Sequence, residues 1–163
     1  LSNSLMRPKF VSTSSEVLKY QTSILDYLKK NKLNCVIKSY PNISSDFVKM
    51  SYPIFEKIEE NYNFLIEKHR NFPKSIEFYQ PDLILIDMIS TPLYEAVTYN
   101  CDIICFRQTI TKYDDKFLKL LNKRVYIAKS ISEFVYYLNL YKTGKLKKKR
   151  DKSFYNNFIL KKN

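Results

Sequence analysis

The apolar positions change period along this chain, and each change marks an element. Val17, Tyr20, Ile24, Leu25 and Leu28 recur at steps of three and four from Glu16 onward, which predicts an amphipathic helix ending near Asn31. Before it, residues 9–12 read as a short strand and residues 12–15 as a polar turn able to cap the helix. Residues 33–39 (LNCVIKS) read as a strand stopped by Tyr40-Pro41-Asn42. The stretch 44–78 is the least periodic. Ile54, Ile58, Phe64 and Leu65 allow one or two helices, with Pro53 in a first turn, Pro73 closing the segment and 76–78 a short edge strand.

The clearest pattern lies in residues 81–106, PDLILIDMISTPLYEAVTYNCDIICF. Leu83, Leu85, Ile84 and Ile86 make a continuous apolar run, too short for a lone helix and branched enough for a strand buried on both faces. Strand 82–86, helix 91–99 and strand 102–106 form one βαβ unit, and its polar turn falls where ligands bind in open α/β sheets. After a loop at 107–113, acidic Asp114 and Asp115 suit the positive end of a helix over 114–121. A strand at 125–127 follows. Ser130 then caps a helix with Glu133 at the capping-box position and Phe134, Val135, Leu138 and Tyr141 inward. A last helical piece is expected at 154–160. Strands alternating with helices predict an α/β fold: a three-layer Rossmann-like domain with a mostly parallel sheet over residues 1–143, then a basic tail over 144–163.

Composition narrows the function classes. A length of 163 residues suits one domain with a proper core, and a start at Leu1 fits a fragment or processed product whose partner domain precedes it. Of the formal charge of +12, the segment from Gly144 onward carries +7, so the first 143 residues carry only +5. Lys, Asn, Ile, Tyr and Phe abound while Gly144 is the single glycine, the bias of an AT-rich genome in which lysine is the default surface residue. Basic charge alone therefore makes no case for nucleic acid, and no nucleic-acid partner is expected. The run Lys147-Lys148-Lys149-Arg150 with Phe154, Tyr155 and Phe158 has two readings: a surface for anionic lipid, where a lipid-linked acceptor sits, or a solvated, frayed terminus, which is the plainer one. Cys35, Cys101 and Cys105 lie in or beside apolar runs without a CxxC pair. They read as reduced buried thiols of a cytoplasmic protein, at most at the inner face of the membrane. No apolar run approaches the ~20 residues that span a bilayer.

Several chemistries drop out. One glycine leaves no GxGxxG and no Walker loop. His69 is the only histidine, so a zinc site is not expected, and Asp114-Asp115 read as a helix start rather than a metal pair. No metal and no cofactor are expected. A phosphate can still be held by Ser90 and Thr91 at the start of the 91–99 helix, where unpaired backbone N–H groups gather. Equally, Ser90 with Pro92 behind it is ordinary helix-start grammar. Glu95, one turn on, can face the same ligand and bind a ribose diol, or be a solvated charge. PDLILIDM also resembles the phosphoacceptor strand of response-regulator receiver domains, with Asp87 at its end. That family needs an acidic pair after its first strand and a lysine after its fifth; here Ser12-Thr13 and Arg107-Gln108 stand at those places.

The combined signature resembles the second half of GT-B-type glycosyltransferases, in particular bacterial surface-polysaccharide transferases and CDP-glycerol glycerophosphotransferases. In these an Asp ending a strand is followed by a Ser/Thr pair and then a Glu-Ala pair, as at Asp87, Ser90-Thr91 and Glu95-Ala96. CVIKSYPNI at 35–43 resembles a second family element, and YQTSILDYLKKN at 20–31 takes the place of the helix before it. The resemblance implies a nucleotide-diphosphate-activated donor of sugar or glycerol phosphate, used to build surface polysaccharide or a cell-envelope polymer. Lys38 and Tyr40 would line the diphosphate crevice, with Lys38 stabilising the leaving group. Asp87, Ser90 and Thr91 would hold phosphate, and Glu95 would contact ribose. The N-terminal half of the same polypeptide would supply the rest, so the piece alone is expected to be inactive. Tyr40 stands where the family often has His, Asp102 where it has Pro, and Tyr99-Asn100-Cys101 replaces a glycine-containing turn. A noncatalytic Rossmann-type or receiver-like regulatory module is the alternative.

Overall fold

In the computed structural model, which describes residues 14–38, 61–107 and 111–160, the first apolar periodicity becomes helix α1 (Ser14–Lys30). Tyr20, Ile24, Leu25 and Leu28 form its buried face. The helix stops without glycine. Lys32 takes a left-handed conformation (φ 52°), the Leu33 amide donates to the Leu28 carbonyl at 3.1 Å and the Lys32 amide to Lys29 at 3.0 Å. This is a Schellman closure in which a side-chain-bearing residue occupies the place glycine usually takes.

Strands β1 (Val36–Lys38) and β2 (Leu65–Glu67) pair in parallel, Lys38 opposite Glu67. Helix α2 (Phe72–Tyr79) follows. Here the structure corrects two expectations: Leu65 belongs to a strand rather than a helix, and residues 76–78 are helical rather than an edge strand. The reason is local. The Asn71 side chain accepts from the Lys74 amide at 3.0 Å, so Asn71 is an N-cap. Pro73 then sits in the first turn, where no intrahelical donor is lost, and opens the helix instead of closing the segment. Gln80, left-handed at φ 45°, ends it. The expected strand at 9–12 and the expected helices within 44–60 lie outside the described residues.

These elements belong to one of two units into which the chain divides, residues 12–80; the described part of the other is 81–160. In that second unit, β3 (Leu83–Ile86), β4 (Asp102–Phe106) and β5 (Tyr126–Ala128) form a parallel sheet in the order β3-β4-β5. Helices α3 (Thr91–Ala96) and α4 (Asp115–Arg124) make the crossovers, and α5 (Ile131–Lys142) follows β5. Strand order advancing one way, with the right-handed crossovers that parallel strands take, puts α3 and α4 on one face. On the other, α5 sets Tyr137 against Tyr126 with ring centroids 5.0 Å apart. The chain is thus α/β and Rossmann-like, as its alternating pattern predicts. The register Ile84↔Ile103 and Ile86↔Cys105 puts these four side chains on one face, and all four are buried. Helix α3 stops at Ala96, three residues before its expected end. Ser130 caps the helix as expected, its hydroxyl accepting from the Glu133 amide at 3.1 Å, while the Glu133 carboxylate reaches one residue further back, to the Lys129 amide at 2.8 Å.

Two arginines and a lysine organise the edge of the sheet where β4 begins. Arg124, only 4 % exposed, donates to the carbonyls of Val97 (3.3 Å), Tyr99 (2.5 Å), Cys101 (3.0 Å) and Lys149 (3.0 Å). Three of these carbonyls lie in the turn between α3 and β4, where buried backbone acceptors need a partner from outside the turn. Lys149 Nζ donates to Asn122 (2.5 Å) and Val125 (3.0 Å) at the end of α4, and Arg150 pairs with Asp102 at 2.6 Å. Helix α6 (Ser153–Phe158) follows and packs on α4. Phe154 is fully buried. Lys149, Arg150 and Phe154 therefore anchor residues 147–158 to the fold, so this stretch is not a frayed terminus, while Lys147 and Lys148 remain exposed. Among the described residues, no helix is long and apolar enough to cross a membrane.

Candidate functional site

The residues singled out in the sequence fall in both units. Lys38 ends β1, half-buried, and its Nζ donates to the Glu67 carbonyl at 3.3 Å. Burial lowers its pKa, and the Glu67 charge offsets part of that. Tyr40 lies outside the described residues. Asp87, Ser90, Thr91 and Glu95 lie in the second unit, on the loop after β3 and the first turns of α3.

These four share one edge for a simple reason. β3 ends at Ile86, so Asp87 is the first residue past the sheet, and it is exposed. Its carboxylate lies near enough to β4 to add to the effect of burial in raising the Cys105 pKa. Ser90 takes the extended N-cap conformation (φ −151°, ψ −175°), yet its hydroxyl makes no cap hydrogen bond. It donates instead to the Met88 carbonyl at 3.4 Å. The ordinary capping role, one of the two readings of Ser90, is therefore not taken up by its side chain. Thr91 is exposed at the start of the helix, Pro92 sits in the first turn, and Glu95 follows one turn on, ~6 Å along the axis. Leu93 and Ala96, both without exposed surface, fix α3 against the sheet and so fix where that turn points.

One group on this edge was not among the sequence candidates. Arg107 continues β4, its amide donating to the Ala128 carbonyl at 2.7 Å. Strand alternation gives it the side of Cys105 and Ile103, the face on which α3 lies. Its guanidinium lies over the Tyr113 ring, 5.7 Å from the centroid. The sequence signal was only partial: a cation one residue past a buried strand, which the β3–β4 register sets level with the polar turn. Hydroxyls at Ser90 and Thr91, a guanidinium at Arg107 and carboxylates at Asp87 and Glu95 suit a ligand with an anionic group and a polyol.

Within the three-stranded parallel sheet, 126–128 is the last described strand, and the residue after it is Lys129. Lys129 is exposed at the same edge as Asp87.

Elsewhere, the first unit has an open depression of about 380 Å³ lined by Thr22, Asp26, Lys29, Asn61 and Tyr62, which shares no residue with the candidates above. Tyr62 donates to Asp26 there, and Lys29 to the Asn61 carbonyl at 2.8 Å. In the same unit Glu67 is 3 % exposed and accepts from the His69 amide (2.7 Å), the Arg70 amide (2.9 Å), Arg70 Nη1 (2.5 Å) and the Tyr79 hydroxyl (3.0 Å). The two backbone amides lead in holding its pKa down to about 2. This carboxylate is committed to the 67–70 turn. Among the described residues, no group of three or more His, Cys, Asp and Glu is placed to hold a metal ion. No protein-family model matches the chain, and neither a curated protein nor a solved structure is significantly similar to it.

Proposed function

We propose that this chain is the donor-binding part of a transferase that uses a nucleotide-diphosphate-activated sugar or glycerol phosphate to build surface polysaccharide or a cell-envelope polymer. One observation carries the reading. At the carboxyl edge of a parallel sheet, where open α/β folds bind ligands, Asp87, Ser90, Thr91 and Glu95 follow β3 on a turn pinned by Leu93 and Ala96, with Arg107 on the next strand. In this reading the Ser90 and Thr91 hydroxyls and Arg107 hold the diphosphate, and Glu95 takes the ribose diol. Fixed donors of this kind stabilise the departing nucleotide, which is the nucleoside diphosphate when a sugar is transferred and the nucleoside monophosphate when glycerol phosphate is transferred. The acceptor and its general base come from a further domain of the polypeptide. Calorimetric titration of the chain with CDP and UDP tests the reading. Binding is expected, weakened about tenfold by Thr91→Ala, the loss of roughly one hydrogen bond to a charged ligand. A folded sample that gives no heat with either nucleotide overturns it.

A second reading, a noncatalytic receiver-like module, is favoured by one feature: Lys129 follows β5 at the edge of the sheet where Asp87 follows β3. Incubation with acetyl phosphate distinguishes the two, since only the receiver reading expects a phosphoryl group on Asp87.

A further inference from the structure

We propose that residues 147–158 are a clasp that couples the two edges of the parallel sheet and holds the α3 segment, from Asp87 to Glu95, in register with it. One end is fixed where β4 begins. Arg150 pairs there with Asp102, Lys149 caps the carbonyls that end α4, and Tyr126 donates its hydroxyl to the Lys147 carbonyl. The other end closes on α3. Phe154, without exposed surface, stacks on Tyr94 with centroids 6.2 Å apart and planes 8° from parallel, and it meets Phe117 of α4 edge-on at 5.2 Å. Arg124 ties the two ends together, since one guanidinium holds both the Val97–Cys101 turn that leaves α3 and the Lys149 carbonyl of the clasp. Helix α3 has only six residues, too short to persist without packing. The sheet supports it through Leu93 and Ala96, and the clasp adds the Phe154 ring against Tyr94. A shift of Phe154 thus loosens the turn carrying Ser90 and Thr91 while leaving the strands paired.

The inference does not depend on what the turn binds, and hydrogen exchange tests it without ligand. In Phe154→Ala, exchange at the Leu93 and Val97 amides, which close α3 onto Ser90 and Leu93, is expected to rise about tenfold more than at the β4 amides, the mark of local rather than global opening. Phe134→Leu, a core change on the other face of the sheet, serves as the control and is expected to raise exchange in α3 and β4 alike. If Phe154→Ala does not fold, Phe154→Leu carries the same comparison with a smaller difference. Equal rises at α3 and β4 in the Phe154 variant that folds overturn the clasp and leave Phe154 an ordinary core residue.

Discussion

Replacing Arg124 by Met removes one guanidinium and four hydrogen bonds while keeping the stem and the helix propensity. Bonds to a charged group contribute ~1.5–3 kcal/mol each in isolation, but four on one side chain do not add. The penalty concentrates on the acceptors left dry. Val97 and Cys101 are buried, so their carbonyls lose a donor that water cannot replace, at ~1–3 kcal/mol each. Tyr99 and Lys149 are half-exposed, and their carbonyls can turn to water. Relief from desolvating the guanidinium offsets part of the sum. A net loss of about 3 kcal/mol follows, or about 6–12 °C in Tm at ~2–4 °C per kcal/mol for a chain of this length. Urea unfolding, read from exchange of the β4 amides so that it reports this unit, measures the loss. Arg124→Lys is expected to recover less than half, because one ammonium cannot reach carbonyls spread over 97–101 and 149. A loss below about 1 kcal/mol with an unchanged urea slope would refute the account of how the turn after α3 is held.

Two further outcomes concern titratable groups. Glu67 is held at about 2 against an ordinary 4.5, so its contribution is present above pH 4.5 and is lost as pH falls toward 2. Denaturation midpoints at pH 6 and pH 3 should differ less in Glu67→Gln than in the unsubstituted chain, and equal differences would mean the carboxylate is not held as described. Burial raises the pKa of all three thiols, Cys35 to about 11. A disulfide reagent at pH 7.5 should therefore label Cys101 and Cys105 far more slowly in the native chain than in urea, with half-buried Cys35 reacting first. Native labelling of Cys105 at the rate of an open thiol would contradict its packing in β4.

What the sequence displayed was what local physics determines. The run Leu83–Ile86, the caps at Asp114 and Ser130 and the 3.6-residue stripe of α1 are signals written within one turn or one strand, and each element formed. β2 was hidden because three residues carry no period, and Leu65, the first of them, is exposed. Helix α2 was hidden because Pro73 reads as a stop unless Asn71 is recognised as its cap. The packing of residues 147–158 was illegible for a different reason. Lysine and arginine advertise solvent, whereas the partners of Lys149 and Arg150 are carbonyls of Asn122 and Val125 and a carboxylate at Asp102, twenty or more residues away. In the site, the Asp87–Glu95 turn was visible as strand, turn and helix, while Arg107 depended on the pairing of β4 with β3, which no single segment encodes.

The position of Phe154 in the chain has a consequence for synthesis. At 5–20 residues per second, Phe154 is added roughly 1–5 s after Ala128 ends the last described strand. During that interval the three strands can pair, but Tyr94 and Phe117 lack the ring that covers them, and the Asp102 carboxylate waits for Arg150. The second unit is therefore built in two stages, a sheet that forms as it emerges and a closure that comes later. Between the two, the aromatic faces of Tyr94 and Phe117 stay open.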